Sequence, residues 1–163
     1  MKYSRIIPIA CLALLAGCMN AIAGRGSDTN GAPEGDVTVE FRVENAQGDA
    51  VRHFAGGDTV RFVFAVKNPS KRAQQLAYTF PPHRVQVFST GNKEPVWQAW
   101  QGQMFAQVMR NTTLAANGSE MFSVEWQIDA GTSGSYRVEP AFHGFVDGEK
   151  LPAQIAPVEI TIE

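Results

Sequence analysis

Apolar and polar residues alternate with a period of two along most of this 163-residue chain, and that period restricts its fold more than any other feature. Val37, Val39, Phe41 and Val43 alternate with Thr38, Glu40, Arg42 and Glu44. In an extended strand successive side chains point to opposite faces, so such a row buries one face and leaves the other in water. A helix would scatter the same residues around its whole circumference.

The pattern repeats between turn signals. Gly56, Gly57 and Asp58 precede the row Val60, Phe62, Phe64 and Val66, which stops at Asn68 and Pro69. Leu76, Tyr78 and Phe80 alternate up to Pro81 and Pro82, which cannot donate to a ladder. Val85–Phe88 and Pro95–Trp100 predict two further strands, separated by a turn at Gly91 and Asn92. Asn117 and Gly118 introduce Phe122, Val124, Trp126 and Ile128, and the last strands are expected at Tyr136–Phe142 and Val158–Ile162. Seven to eight short strands with Gly, Pro and Asn turns predict an all-β fold, an immunoglobulin-like antiparallel β-sandwich. Only Met104–Met109 offers a short helical turn, and strands do not alternate with helices as a doubly wound fold requires. Tyr136, entering a late strand behind Gly134 and Ser135, is placed like a tyrosine corner.

Before this region lies a different kind of segment. Ile6–Ala16 is apolar, follows Lys2 and Arg5, and ends in Leu15, Ala16, Gly17 and Cys18. It is too short to span a bilayer but suits a secretory signal, and its last four residues read as a lipobox. Residues 1–17 are then a lipoprotein signal peptide and Cys18 is the lipidated first residue of the mature protein. Cleavage among the small residues at 21–24 is the competing reading. Residues 18–35 carry little apolar content and predict a tether, and residues 36–163 form the domain. This organisation predicts a cell-envelope protein held on the membrane by acyl chains, since two or three chains anchor stably where one does not.

Composition narrows the function. Cys11 falls in the removed segment and Cys18 carries lipid, so no intramolecular disulfide and no cysteine zinc site is expected. Cleavage takes Lys2 and Arg5 from the 14 basic residues, leaving 12 against 16 acidic ones and a net charge of −4. A mildly acidic chain without a basic run is not built for nucleic acid. His53, His83 and His143 are widely spaced and read as surface or turn residues, not metal ligands, and no serine stands in a nucleophile-elbow setting. Neither an enzyme activity nor a cofactor is expected.

The order Val66, Asn68, Leu76–Phe80, Val85–Phe88, Gly91, Val96, Trp97, Trp100, Phe105 and Gln107 resembles the BsuPI family of proteinase inhibitors. The likeness continues through Leu114, Asn117, Gly118, Trp126 and Gly134–Val138; the tryptophan strand followed by Met104–Gln107 is its most specific part. It implies an immunoglobulin-like sandwich and, for the founding member, inhibition of an intracellular subtilisin-type serine protease. An exported, anchored chain would need an extracytoplasmic target instead.

Candidate partner-binding residues are Trp97, Trp100, Met104, Phe105 and Met109. Trp97 and Trp100, three apart in one expected strand, should point to opposite faces, one into the core and the other either exposed as an interface anchor or covering the sandwich edge or packed beneath the 101–114 loop. Residues 90–95 and 101–114 are the loops long enough to dock. Without a disulfide to lock a substrate-like loop, a surface-docking inhibitor is the expected form. Two readings follow: a lipoprotein whose domain binds another protein, a serine protease that it inhibits, or a non-inhibitory accessory module of the envelope.

Overall fold

The computed structural model describes residues 36–151 and 155–163; the signal segment, Cys18 and the whole of the tether expected at 18–35 fall outside the described residues. All regular structure in the described residues is strand. In chain order the segments are β1 (Thr38–Glu44), β2 (His53–Phe54), β3 (Thr59–Lys67), β4 (Gln74–Thr79), β5 (His83–Ser89), β6 (Trp97–Gln98), β7 (Met109–Leu114), β8 (Ser119–Gln127), β9 (Gly134–Phe142), β10 (Phe145–Val146), β11 (Glu149–Lys150) and β12 (Val158–Ile162). Eight of these run five residues or more, and the rest are two-residue pairings, at sheet edges except for β10, which lies between β11 and β4.

The fold is an all-β sandwich. One sheet has the order β1-β3-β8 and is antiparallel throughout. The second has the order β2-β12-β9-β5-β6, antiparallel except where β2 joins β12 in parallel. A smaller sheet, β11-β10-β4-β7, adds Leu76, Leu114 and Val146 to the same core. The predicted alternation explains which side chains meet. Val60, Phe62, Phe64 and Val66 of β3 have no solvent exposure. They reach ring partners across the sandwich: Phe62 lies 5.6 Å from Trp97, and Phe64 lies 6.1 Å from Phe142. Trp126 meets Tyr136 at 6.1 Å and Phe122 meets Phe142 at 5.4 Å. Tyr136 makes the corner expected of it, its hydroxyl donating to the Ser133 carbonyl at 3.0 Å.

Three local expectations are corrected. The strand at Pro95–Trp100 shrinks to Trp97–Gln98, because the chain turns at once and Trp100 takes a left-handed φ of 66°. Residues 101–114 are not one loop, since Met109–Leu114 forms β7 against β4, with Thr79 opposite Met109. No helical turn forms at Met104–Met109. The sequence of β7, Met-Arg-Asn-Thr-Thr-Leu, is polar because it is an edge strand that buries only Leu114, so it lacks the alternation that marks the others.

One polar group joins the sheets. Asn68, 1% exposed, donates from Nδ2 to the carbonyls of Arg72, Leu114 and Ala115 at 2.7, 3.2 and 3.0 Å. Its Oδ1 accepts from the backbone N–H and the hydroxyl of Ser70. These bonds tie the end of β3 to the turn between β7 and β8. That turn needs Asn117 at φ 54°, and a Cβ on Gly118 would stand 2.9 Å from the Ala115 carbonyl oxygen. Replacing Asn68 with alanine removes the Nδ2 bonds that link the two segments and takes the acceptor from the buried Ser70 N–H, while the Arg72 and Ala115 carbonyls keep the Ser70 hydroxyl and the Gly118 N–H as donors. Asn68→Ala is expected to lower the unfolding free energy by on the order of 3 kcal/mol, read from urea denaturation. A loss under about 1 kcal/mol would show that the freed groups find other partners.

Candidate functional site

The predicted site residues fall into two groups. Trp97, expected in the same strand as Trp100, keeps its place in β6 and inserts between the sheets, 5.6 Å from Phe62 and 5.8 Å from Trp126. It is a half-buried core residue. Trp100, Met104, Phe105 and Met109 gather instead at the opening of the sandwich beside the segment 101–108, and β7 leaves that segment at Met109. Both tryptophans are half-buried and pack on the core cluster, and Trp100 lies beneath the loop against Phe105, as one of the expected alternatives had it, and does not stand outward as an interface anchor. The turn after Gln98 breaks the strand alternation on which the expectation of opposite faces rested.

The turn is fixed by rings. Trp100 lies 6.0 Å from Phe80, 5.5 Å from His83 and 5.6 Å from Phe105, and its Nε1–H donates to the His83 carbonyl at 3.2 Å. A tryptophan in the left-handed region costs about 1–2 kcal/mol of backbone energy, and these contacts hold it there. Phe105 stands edge-on to both Phe80, at 5.4 Å, and Trp100, at 5.6 Å. The loop is therefore pinned at its middle. Two backbone bonds shape the rest, Gln103 N–H to the Trp100 carbonyl at 3.0 Å and Val108 N–H to the Ala106 carbonyl at 2.8 Å.

Next to the pinned phenylalanine, Met104 is 96% exposed. Val108 and Met109 follow at 60% and 54%, so the rim sets apolar side chains beside the exposed Gln101, Gln103 and Gln107, and no charged residue occurs from Gln101 to Val108. Arg110 is the first charge beyond it, its guanidinium 5.3 Å from the centre of the Phe80 ring. A cleft lined by Trp97, Gln98, Trp100, Gln103, Ser123 and Glu125 opens on one side of the loop. On another side a shallow groove runs past Tyr78, Phe80, Pro81, Gln107, His143 and Phe145.

Sequence reasoning missed Phe80 and His83 as parts of this site. His83, expected on the surface, is only 3% exposed, because as the first residue of β5 it points inward between Phe64 and Trp100. Burial pushes its pKa down to about 4. The signal that could have found it is Phe80-Pro81-Pro82-His83, where two prolines end one strand and force the next residue to begin another. Among the described residues no cluster of three or more His, Cys, Asp or Glu side chains is placed to hold a metal ion.

The two neighbours on the loop should behave oppositely. Phe105→Ala is expected to cost about 1–2 kcal/mol and to make the 101–108 segment more susceptible to proteolytic nicking. Met104→Ala should leave the melting temperature unchanged within the equivalent of about 0.5 kcal/mol. Equal effects of the two changes on thermal unfolding would show that the loop is not pinned through Phe105.

Among curated proteins none matches this chain. Solved structures with a similar chain path are distant. The alkylpurine DNA glycosylase AlkC of Pseudomonas fluorescens is 15% identical with a TM-score of 0.35, over 76% of this chain and 30% of that one. The C-terminal domain of Wzt is 8% identical with a TM-score of 0.46, over 78% and 73%. Spo0M, a sporulation control protein of Bacillus subtilis, is 14% identical with a TM-score of 0.38, over 79% and 50%. This chain thus spans 30% of the glycosylase and half of the sporulation protein. The sequence itself is more decisive. The family model described as BsuPI, intracellular proteinase inhibitor, matches residues 49–144, from the connection before β2 through β9 and including the whole aromatic-braced loop. That match covers more than half of the chain, and the protein belongs to the BsuPI proteinase inhibitor family.

Proposed function

We propose that this protein is a lipid-anchored inhibitor that docks one-to-one on an extracytoplasmic serine protease through its 101–108 loop, with Met104 leading. The observation that carries this reading is the juxtaposition of Met104, almost fully exposed, with Phe105, clamped between Phe80 and Trp100. An inhibitory segment must present a side chain to the enzyme while losing little freedom when it docks. Small inhibitors commonly meet that requirement with disulfides. Here three aromatic rings and a left-handed tryptophan take their place.

The chemistry of the rim fits an apolar recognition site. Met104 is unbranched and adapts its shape to a hydrophobic pocket, while the uncharged run around it imposes no ionic requirement on the partner. Family membership supports a proteinase as the class of partner. The lipobox supports the location. Once acylated at Cys18, the mature protein would reach only enzymes on its own side of the membrane, through a tether of 18–35. The target would therefore differ in compartment from an intracellular one. No residue of the site is assigned a catalytic role.

Titration of the full-length protein against a panel of subtilisin-like and trypsin-like proteases tests the reading. Activity of one enzyme should fall linearly to an endpoint at one equivalent, and Met104→Asp should raise the inhibition constant by at least about tenfold without moving the melting temperature. No effect on any protease, with the protein itself left uncleaved, would favour the accessory module of the envelope.

Anchoring has its own check. Cells fed labelled palmitate should label the wild-type protein and not Cys18→Ser. Equal labelling of the two would rule out acylation at this cysteine.

A further inference from the structure

We infer that His83 is the positioning residue of the 101–108 loop and that the loop keeps its docking shape only while this imidazole is uncharged, so that acid releases it. The inference rests on the proposed docking role for its consequence, but the step itself belongs to the fold and is measured without a protease.

His83 is buried among rings: Phe64 at 5.1 Å, Trp100 at 5.5 Å and Phe122 at 6.2 Å. Neither ring nitrogen has a hydrogen-bond partner among the described residues. Buried polar groups are nearly always paired, so an unpaired imidazole is a standing cost that hydration would relieve. The group covering it is Trp100, and the same Trp100 clamps Phe105. One ring thus shields the histidine on one side and holds the loop on the other. Any movement of Trp100 that admits water to His83 also takes from Phe105 one of its two ring contacts and leaves only Phe80 to hold it.

The surroundings offer a cation no compensation. On its own strand the nearest charge is Arg84, and on β3 the charged residues, Arg61 and Lys67, lie near its two ends. β8 carries Glu120 and Glu125, β9 carries Arg137 and Glu139, and His143 follows β9. Arg110 of β7 stacks on Phe80. None of these shifts the group: burial alone holds its pKa at about 4, against an ordinary 6.5. His143 is lowered as well, by its partial burial and by Arg84 and Lys150, and it is exposed on the surface.

The direction follows from linkage. Above pH 6.5 the imidazole is neutral whether Trp100 covers it or not, and the loop is closed. Between pH 6.5 and about 4 only a state that exposes the ring takes up the proton, so opening is favoured by about tenfold for each unit of pH lost. Below about pH 4 the covered ring protonates too, and the dependence ends.

Hydrogen exchange of the full-length protein between pH 7 and 5, corrected for intrinsic rates, reads this step. Opening of residues 101–108 should rise with falling pH in the wild type while amides of β3 and β9 stay protected. His83→Leu, which fills the site and cannot titrate, should show a flat profile. A wild-type loop insensitive to pH, or a His83→Leu loop with the wild-type slope, would overturn the inference. Should His83→Leu not fold, titration of the wild-type His83 ring signal by NMR decides: a midpoint below pH 5 supports it and one above pH 6 refutes it. If loop opening follows pH as stated yet no protease is inhibited at any pH, the docking role fails and the switch stands.

Discussion

The inner row of β3 is the constraint on which everything else depends. Val60, Phe62, Phe64 and Val66 lie in the middle strand of their sheet, pair with β1 on one side and β8 on the other, and face the second sheet with no exposure at all. In a domain whose described residues contain no cysteine, this packing must do what disulfides do in many small exported domains. It does so with large rings: Phe41 at 4.9 Å from Phe64, Trp97 against Phe62, Phe142 against Phe64 and Phe122. A sandwich closed by rings has few ways to rearrange, because planar side chains interlock at preferred angles and leave little slack.

The same set of rings runs out to the 101–108 loop without interruption. From Phe64 the contacts pass to His83, from His83 to Trp100, and from Trp100 to Phe105 and Phe80. The loop is thereby an extension of the core, which explains how an irregular segment with two internal backbone bonds presents a fixed surface. The arrangement carries two local costs, a tryptophan at positive φ and an imidazole without a hydrogen-bond partner. Strain of this kind gathers where function demands a particular geometry, and the rigid sandwich behind it absorbs the cost. The family match includes the Trp97–Met109 stretch, so the braced loop lies within the part of the chain that carries the likeness.

Legibility differed between strands and turns for a simple reason. β1, β5, β8, β9 and β12 bury mainly one face, and burial of one face writes itself into the chain as alternation; β3 keeps the large side chains on one face while also burying Val63 and Ala65 on the other. β7 buries little besides Leu114, and β2, β6, β10 and β11 are two residues long, too short to contain a period. The strand carrying the tryptophan pair was drawn too long because alternation was extended two residues past the point where β6 ends. Nothing local marks that point. Trp100 adopts its left-handed turn through contacts with Phe80, His83 and Phe105, residues from a neighbouring strand end, the next strand and the loop beyond.

By itself the sequence determined the all-β class, the facing rows of the sandwich, the tyrosine corner and the family, because each depends on residues close together in the chain or on the burial of a whole face. Only the tertiary structure decided that Trp97 belongs to the core, that Met104 stands free while Phe105 is clamped, and that His83 is enclosed. Those outcomes rest on rings brought together from β3, β4, β5 and the 101–108 loop, and the distance between such residues is set by sheet packing, which no short stretch of sequence encodes.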